Sequence, residues 1–545
     1  MRRHVVALVV LLGVALALSH RNVGFSTDEG SYAIQSEALD RGSWEIDWPF
    51  REVDPTGAHF PYHGGRLTES PRGEYAYVNH PIWPELLASV RSLGGEGVGL
   101  RLLPMASVVV AALCGAALAR RMGGPVAGPW GFWVVATSPV LADGLMIWAH
   151  APSAALAGLA VLAAVELETG KARWWWWALL CAALAGGVLV RSEGAFVVAA
   201  VAGLLALIGL RRREWRLVGA GVLGAGAGAG ALLLEWAWAA GYDGAGLTSR
   251  ADSSGFLGDR LHGAGVSLLR GASDPGAALI SLLAVSLVVL AVVASRRTSL
   301  AIRPELVVGA AAVLVVVRTV VGHDDPVPGL LSAWPALAFA GAGVVAAARR
   351  ALPVALLVGA TGFGLAVVAT QYDDGGGLQW GGRFLAPLLV PTGAVAAVGL
   401  LRVLPSPSVR RTGAALLAAT ALASLVITDQ IRETNLSVVH QVDATGQPVV
   451  LVAGDQIARL DWSRWPERCW ISDRGDLRGA LAALREAGVD HAAYVGFEPI
   501  DLTALGASAR PVHRGALVGV VDLRFVPTPT AVGEHAFAGC PGPVA

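Results

Sequence analysis

The sequence predicts a polytopic α-helical membrane protein with a small C-terminal α/β domain. Of the 545 residues, 54% are hydrophobic and only 15% are charged, and the apolar residues stand in long uninterrupted blocks. Blocks of this length are typical of membrane-spanning chains rather than of soluble cores. The loops between the blocks alternate in their Lys and Arg content, and after residue 430 the composition changes to short strand-like runs.

The apolar blocks predict about thirteen transmembrane helices, at about 20 residues a span. They fall near 3–19, 100–119, 125–142, 145–165, 174–190, 194–210, 217–239, 276–295, 304–321, 328–348, 351–370, 384–402 and 411–428. The first block, "MRRHVVALVVLLGVALALSH", fits either a signal peptide or an uncleaved first span. Both interpretations place the segment after it on the extracytoplasmic side.

Loop charges predict the orientation in the plasma membrane. With a cytoplasmic N-terminus, the inner loops read "RRH", "ARRMGG", "ETGKAR", "RRREWR", "SRRTSLAIR", "ARR" and "LPSPSVRR", each with two or more Lys or Arg. The short outer loops "ADG", "RSEG", "GHDDPVPG" and "QYDDGGGLQWGGR" are poor in them. This alternation follows the positive-inside rule. With an odd number of spans, it places the C-terminal domain outside the cell membrane.

The same orientation gathers the acidic, histidine and arginine side chains on the extracytoplasmic face. The residues predicted there are Asp28, Glu29, His59, His63, His80, Glu193, His323, Asp324, Asp325, Asp373, Asp374 and Arg383. His150 and Glu235 are expected near the outer ends of their helices. Any chemistry is therefore predicted on that face. The formal net charge of zero gives no electrostatic basis for a nucleic-acid partner.

We predict two domains: residues 1–429, including the external loop 20–99, form the transmembrane domain, and residues 430–545 form the α/β domain. In the latter, "PVVLVAG", "RCWIS", "HAAYVGF" and "VGVVDLRFV" are typical of short strands. "DLRGALAALREAGV" predicts an amphipathic helix with Asp476 as its N-cap. No motif there demands catalysis, so a binding or packing role is expected. In an exported domain Cys469 and Cys540 could form a disulfide.

An Asp28-Glu29 pair follows the first apolar block, in "STDEGSYAIQSEAL". One interpretation is structural: Ser26 or Thr27 caps a helix, and the two carboxylates in its first turn interact favourably with the helix dipole. The other is functional: a general base, or a metal or sugar ligand, at the boundary between lipid and water.

Other motifs also allow a structural and a functional interpretation. Arg383 in "GGGLQWGGRFLAPLLVP" could hold a phosphate in a bidentate manner or extend to the membrane interface. Arg191 and Glu193 in "RSEGAF" could pair with each other or contact a substrate. His150 could line a cavity or bond to its neighbours. The Asp residues of "GHDDPVPG" and "QYDDGGG" could bind a divalent cation or form turns.

The order of these motifs resembles the first external loop of the GT-C glycosyltransferase superfamily. The resemblance is greatest to the branch containing protein O-mannosyltransferases and the aminoarabinose transferases of lipid A. It is carried by Asp28-Glu29, Tyr32, the turn Gly42-Ser43-Trp44 and His80-Pro81 in "NHPIWPELLA", where Ile82 replaces a second Pro. The segment "WGGRFLAPLLVP" resembles a late motif of many bacterial and archaeal members, with a Gly where a Pro is common. The resemblance spans roughly residues 1 to 430.

The resemblance implies a polyprenyl-phosphate sugar donor, an acceptor hydroxyl on a protein, glycan or lipid, and transfer with inversion outside the membrane. It implies Asp28 as proton acceptor, Glu29 as the group that orients Asp28 or the acceptor, and Arg383 as the cation opposite the leaving phosphate. Tyr32, His80, His150, Arg191 and Glu193 are candidate substrate-binding residues. No cofactor is implied with certainty, and a divalent cation stays possible. The alternatives are a transporter or flippase for a lipid-linked saccharide and a non-catalytic membrane scaffold.

Overall fold

A computed structural model of the chain describes residues 1–19, 22–61, 76, 80–94, 96–170, 173–243, 257–269, 275–296, 302–321, 327–346, 351–370, 381–454, 456–496, 507–514 and 519–525. The chain divides into two compact units. The helical unit comprises Met1–Leu18, Arg101–Ala237 and Arg250–Asp429. The sheet unit comprises Ser19–Leu100, Trp238–Ser249 and Gln430–Ala545.

Helices dominate the described ranges. In chain order they are α1 Arg2–Leu18, α2 Thr27–Asp40, α3 Ile82–Arg91, α4 Glu96–Gly123, α5 Ala127–Ala136, α6 Val140–Asp143, α7 His150–Glu168, α8 Trp174–Val190, α9 Gly194–Arg212, α10 Trp215–Asp243, α11 Leu257–Leu268, α12 Pro275–Ala294, α13 Pro304–Val321, α14 Leu330–Ala333, α15 Ala340–Ala346, α16 Ala351–Thr370, α17 Leu389–Val403, α18 Arg410–Asp443, α19 Gln456–Leu460 and α20 Leu477–Glu486.

The chain is a multi-pass membrane protein, as predicted. Within the described ranges, nine helices are long and apolar enough to cross a bilayer: α4, α7, α9, α10, α12, α13, α16, α17 with the 3-10 turn before it, and α18. Two shorter apolar helices cover Trp174–Val190 and Pro335–Val345. The predicted number of about thirteen spans is not confirmed.

Two prolines account for part of the difference in span number. The predicted span 125–142 is divided into α5 and α6, with Pro139 between them. The predicted span 328–348 contains α14, a 3-10 turn that starts at Pro335, and α15. Proline lacks a backbone N–H and disfavours the helical conformation of the residue before it. Each block is therefore apolar enough for a span but is not one continuous α-helix.

The sheet unit contains a five-stranded mixed sheet with strand order β2-β1-β3-β5-β4. Its strands are β1 Val449–Val452, β2 Cys469–Ser472, β3 His491–Gly496, β4 Ala507–Arg514 and β5 Gly519–Phe525. β1 is parallel to β2 and β3, whereas β5 is antiparallel to β3 and β4. The predicted helix between two strands is α20, and the Asp476 carboxylate accepts a hydrogen bond from Gly479 N–H at 2.9 Å, which confirms the predicted N-cap. β4 was not predicted.

The external loop and the C-terminal strands belong to the same compact unit. Trp48 Nε1 donates to the carbonyl oxygen of Trp470 at 3.0 Å. Ser472 N–H donates to the carbonyl oxygen of His59 at 2.8 Å, and His59 Nδ1 lies 3.1 Å from the carbonyl oxygen of Ser472. Cys469 on β2 is disulfide-bonded, while Cys540 lies outside the described residues. The sheet thus supports the loop that carries Asp28.

Candidate functional site

In the sheet unit, helix α2 carries the Asp28-Glu29 pair in its first turn. Ser26 occupies the N-cap position with extended backbone, but its side chain makes no capping hydrogen bond within the described part of the chain. Asp28 is partly exposed, whereas Glu29 is 0% exposed. The two adjacent carboxylates therefore have different environments, and only Asp28 is accessible from solvent.

Glu29 is bound into the protein interior. Its carboxylate accepts a hydrogen bond from the N–H of Phe25. Its Oε1 lies 3.7 Å from Nη2 of Arg432, which is also 0% exposed. A buried carboxylate needs such partners because removal from water disfavours its charged form. Glu29 thus anchors the start of α2 to α18.

Tyr32 lies one helical turn after Asp28, on the same side of α2. Its side chain is 2% exposed. Between them, Gly30 meets the backbone of Arg459, so closely that a Cβ at position 30 would clash with it. The contact requires glycine, and it holds α2 against the segment that contains α19.

The end of α2 is fixed by the turn predicted from "GSW". Gly42 has a φ of +82°, which glycine adopts without strain. Gln35 Nε2 donates to the carbonyl oxygen of Trp44 at 2.9 Å, and the Trp44 and Trp238 rings have centroids 4.7 Å apart. Both ends of α2 are therefore held.

His80 has an unusual backbone conformation. It is 2% exposed and has a φ of +50°, immediately before Pro81. Its carbonyl oxygen accepts a hydrogen bond from Trp83 N–H at 3.0 Å, at the start of α3. Left-handed conformations are costly for residues with a Cβ, and such residues concentrate at functional sites. This geometry agrees with the selection of His80 from the sequence.

In the helical unit, Arg191 and Glu193 form a bidentate ion pair between α8 and α9. Arg191 Nη2 lies 2.7 Å from Glu193 Oε1, and Nε lies 3.1 Å from Oε2. Both side chains are about one-tenth exposed. Of the two interpretations from the sequence, mutual pairing is observed, so the pair presents a fixed guanidinium.

Arg383 follows Gly381 and Gly382, whose φ values of +58° and +64° are left-handed, as the predicted tight turn requires. Its Cζ lies 5.6 Å from the centroid of the Trp148 ring and 5.2 Å from that of Phe384. The Arg191 Cζ lies 5.6 Å from the same Phe384 ring. Stacking on aromatic faces orients a guanidinium without removing its charge.

His150 begins α7 and is 1% exposed. Its ring is 4.8 Å from that of Trp148, at an interplanar angle of 78°. The sequence had left open whether this histidine lines a cavity or contacts its neighbours. The structure shows the neighbour contact, and through Trp148 it joins His150 to the arginine cluster.

Asp143, which the sequence did not single out, belongs to the same cluster. It is 0% exposed at the end of α6, and Arg191, Arg383 and Trp148 all interact with it electrostatically. Among the described residues, no donor meets strict hydrogen-bond geometry with either carboxylate oxygen. The signal was available, because "ADG" is an acidic turn between two apolar blocks. We call Asp143, Trp148, Arg191, Glu193, Arg383 and Phe384 the arginine cluster.

An apolar groove adjoins this cluster along the chain. It has an empty volume of about 910 Å³ and is lined by side chains of α7, α9, α16 and the turn Arg383–Leu388. Pro387 and Leu388 of that turn line the groove, and Arg383 begins the turn. Glu168 and Arg212, the last residues of α7 and α9, also line it. The groove therefore follows two membrane helices over most of their length.

The eight predicted site residues fall into two sets. Asp28, Glu29, Tyr32 and His80 belong to the sheet unit, and His150, Arg191, Glu193 and Arg383 belong to the helical unit. Glu235 is buried in α10. His63, His323, Asp324, Asp325, Asp373 and Asp374 lie outside the described residues. Within the described ranges, no group of three His, Cys, Asp or Glu side chains is arranged to hold a metal ion.

Arg432 and Asn435 were also missed by the sequence, because the predicted last span ended at 428. The helix α18 continues to Asp443. An ionisable residue in "DQIRETNLSVVHQ" gives no sign of burial when the segment is taken as a loop.

No family model matches the chain, and no curated protein matches it either. Among solved structures, the chain aligns with ArnT from Cupriavidus metallidurans bound to undecaprenyl phosphate, at 15% identity and a TM-score of 0.45, over 95% of this chain and 97% of that one. It also aligns with the archaeal oligosaccharyltransferase AglB from Archaeoglobus fulgidus in complex with an inhibitory peptide and a dolichol-phosphate, at 13% identity and a TM-score of 0.47, over 90% of this chain and 69% of that one. These are distant likenesses to membrane glycosyltransferases of the GT-C superfamily, which the motifs had indicated.

Proposed function

We propose that this chain is a membrane glycosyltransferase that moves a sugar from a polyprenyl-phosphate donor to an acceptor hydroxyl, with inversion, on the extracytoplasmic face. The observation that carries the proposal is the turn Arg383–Leu388, which joins an oriented guanidinium to an apolar groove. A polyprenyl phosphate has the matching chemistry, namely an anionic phosphate on a long apolar chain. The guanidinium would bind the phosphate in a bidentate manner, and the groove would hold isoprene units.

The reaction forms a bond between the acceptor oxygen and C1 of the sugar and breaks the bond between C1 and the phosphate oxygen. The acceptor hydroxyl loses its proton as it attacks, and Asp28 is the proposed proton acceptor. Negative charge develops on the departing phosphate, and Arg383 is the proposed cation that stabilises it. The partial exposure of Asp28 supports its role, because an acceptor has to reach it.

The remaining predicted residues take supporting roles in this proposal. Glu29 is buried and paired with Arg432, which supports a role in orienting Asp28 rather than in accepting the proton. Tyr32 and His80 are proposed to contact a substrate beside Asp28. Arg191 is proposed as a second phosphate contact, oriented by Glu193.

Membranes from cells that express each variant test the proposal. They would be incubated with a panel of radiolabelled polyprenyl-phosphate sugars, and label would be followed into protein, lipid and glycan. We expect Asp28→Asn to lower the transfer rate about 10²-fold or more, and Arg383→Ala to lower it about 10²- to 10³-fold. The matched controls are Asp40→Asn at the exposed end of α2 and Arg211→Ala at the exposed end of α9, which should transfer normally.

The outcomes separate the proposal from its alternatives. Transfer by Asp28→Asn at the wild-type rate would show that Asp28 is not the base. Movement of labelled donor across the membrane without covalent transfer would identify a flippase. A scaffold would consume no donor, and its Asp28→Asn variant would complement a deletion strain fully. A wild-type rate that falls on addition of EDTA and returns with a divalent cation would establish a metal requirement.

A further inference from the structure

We propose that Arg432 and Asn435 of α18 are positioning residues that hold residues 24–29 and thereby set the location of the Asp28 carboxylate. The proposal rests on the proposed function in that Asp28 is taken as the base. The contacts that support it lie within the sheet unit and do not depend on the identity of either substrate.

The first contact is the ion pair between Arg432 and Glu29. Arg432 Nη2 lies 3.7 Å from Glu29 Oε1, and both side chains are 0% exposed. Because Arg432 is buried, it is not a residue that extends to lipid headgroups. Two fully buried charges are costly unless they compensate each other, so the pair fixes the position of Glu29. Glu29 directly follows Asp28 in the first turn of α2.

The second contact involves the backbone just before α2. Asn435 Nδ2 donates to the carbonyl oxygen of Gly24 at 2.8 Å and lies 3.3 Å from that of Phe25. Asn435 is three residues after Arg432, so both side chains extend from one face of α18. Phe25 N–H in turn donates to Glu29. Arg432, Asn435, Phe25 and Glu29 therefore form a closed network around the chain segment that enters α2.

This network accounts for the geometry of α2, whose Ser26 side chain makes no capping bond within the described residues. The start of the helix is held by α18 instead of by its own cap. A displacement of a catalytic group by about 1 Å can lower a rate about 10²-fold. Loss of the network should consequently lower kcat while leaving the donor KM unchanged, because the arginine cluster and the groove are not altered.

Transfer assays on full-length protein in membranes would compare Asn435→Leu, Arg432→Gln and the double variant Glu29→Gln/Arg432→Gln. We expect Asn435→Leu and Arg432→Gln to lower kcat about tenfold to 10²-fold at unchanged donor KM. The double variant removes both buried charges, so it should recover part of the kcat that Arg432→Gln loses. Glu433→Gln, the exposed neighbour, is the matched control and should retain the wild-type kcat.

A second measurement works without any donor and covers the case in which Arg432→Gln fails to fold. Asp28→Cys would be labelled in intact cells with a membrane-impermeant maleimide, with the chain lacking this cysteine as background. Adding Asn435→Leu should raise the labelling rate about tenfold, as expected from the loss of one or two hydrogen bonds.

Unchanged labelling in the presence of Asn435→Leu, or a double variant no more active than Arg432→Gln, would overturn the positioning role. If wild type consumes no donor but the labelling rate rises as expected, the proposed function fails and the positioning of residue 28 stands. If wild type transfers sugar and Asn435→Leu has the wild-type kcat, the positioning role fails and the proposed function stands.

Discussion

Replacement of Gly30 by alanine should displace helix α2 and lower both stability and activity. Gly30 packs against the backbone of Arg459, and a Cβ at position 30 would lie 2.9 Å from Cα of Arg459 and closer still to its carbonyl carbon and oxygen. Ordinary van der Waals contact begins at 3.4 Å. The helix and the segment around Arg459 must therefore separate by at least 0.5 Å, the difference between these two distances.

The size of the effect follows from two opposing terms. Alanine gains about 0.8–1.0 kcal/mol over glycine in a helix interior. Overpacking against backbone costs about 1–3 kcal/mol, because backbone cannot move aside as a flexible side chain can. We expect a net loss of about 1–2 kcal/mol in the free energy of unfolding of the sheet unit. For a unit of 150–250 residues this lowers Tm by about 2–8 °C.

Thermal unfolding of purified protein in detergent, together with the transfer assay, measures this effect. Since Asp28 lies two residues before Gly30, we expect kcat to fall about tenfold to 10²-fold. Gly241→Ala is the matched control, because Gly241 is also helical and in the sheet unit but has no atom within 4 Å of a built Cβ. A Gly30→Ala protein with the Tm and kcat of Gly241→Ala would show that α2 is not packed on Arg459.

Three further predictions concern charge and backbone conformation. Burial raises the pKa of Asp461 from 3.8 to about 7, with Arg468 opposing the rise; since the folded state then binds the proton more tightly than the unfolded chain, stability should fall as pH rises from about 4 to about 7 and level off above it. Asp461→Asn should flatten this part of a Tm–pH curve, and the exposed Asp490→Asn should leave it as in wild type. His80→Gly should melt above His80→Ala, because a left-handed φ costs a residue with a Cβ about 1–2 kcal/mol; equal Tm values would contradict the φ of +50°. Arg383→Lys keeps the charge but loses the planar contacts with two aromatic rings, so its kcat/KM should lie between those of wild type and Arg383→Ala, and a wild-type value would show that charge alone suffices.

Several features of the site could be predicted because they depend on local sequence. The pair Asp28-Glu29 lies in the first turn of a helix because the residue types before and within it favour a helix start. The turn before Arg383 follows from two glycines, and the N-cap of α20 follows from Asp476. Membrane insertion follows from apolar block length, which composition alone specifies.

Other features depend on residues that are far apart in the chain. Glu29 and Arg432 look like ordinary polar residues in the sequence, and only the packing of α18 against the start of α2 shows that both are buried and paired. Asp143 becomes part of a cluster because α6 brings it near two arginines from distant turns. No local pattern records such proximity.

The sequence by itself determined the membrane class, the approximate positions of the helices and the candidate carboxylates and arginines, since hydropathy, loop charge and turn propensity are properties of short segments. The tertiary structure decided which of the two adjacent carboxylates is accessible, which arginines are oriented by aromatic rings and which helix supports Asp28. The physical reason is that burial and pairing are set by neighbours in space. A side chain has the same intrinsic chemistry in every context, but its role depends on the groups that replace water around it.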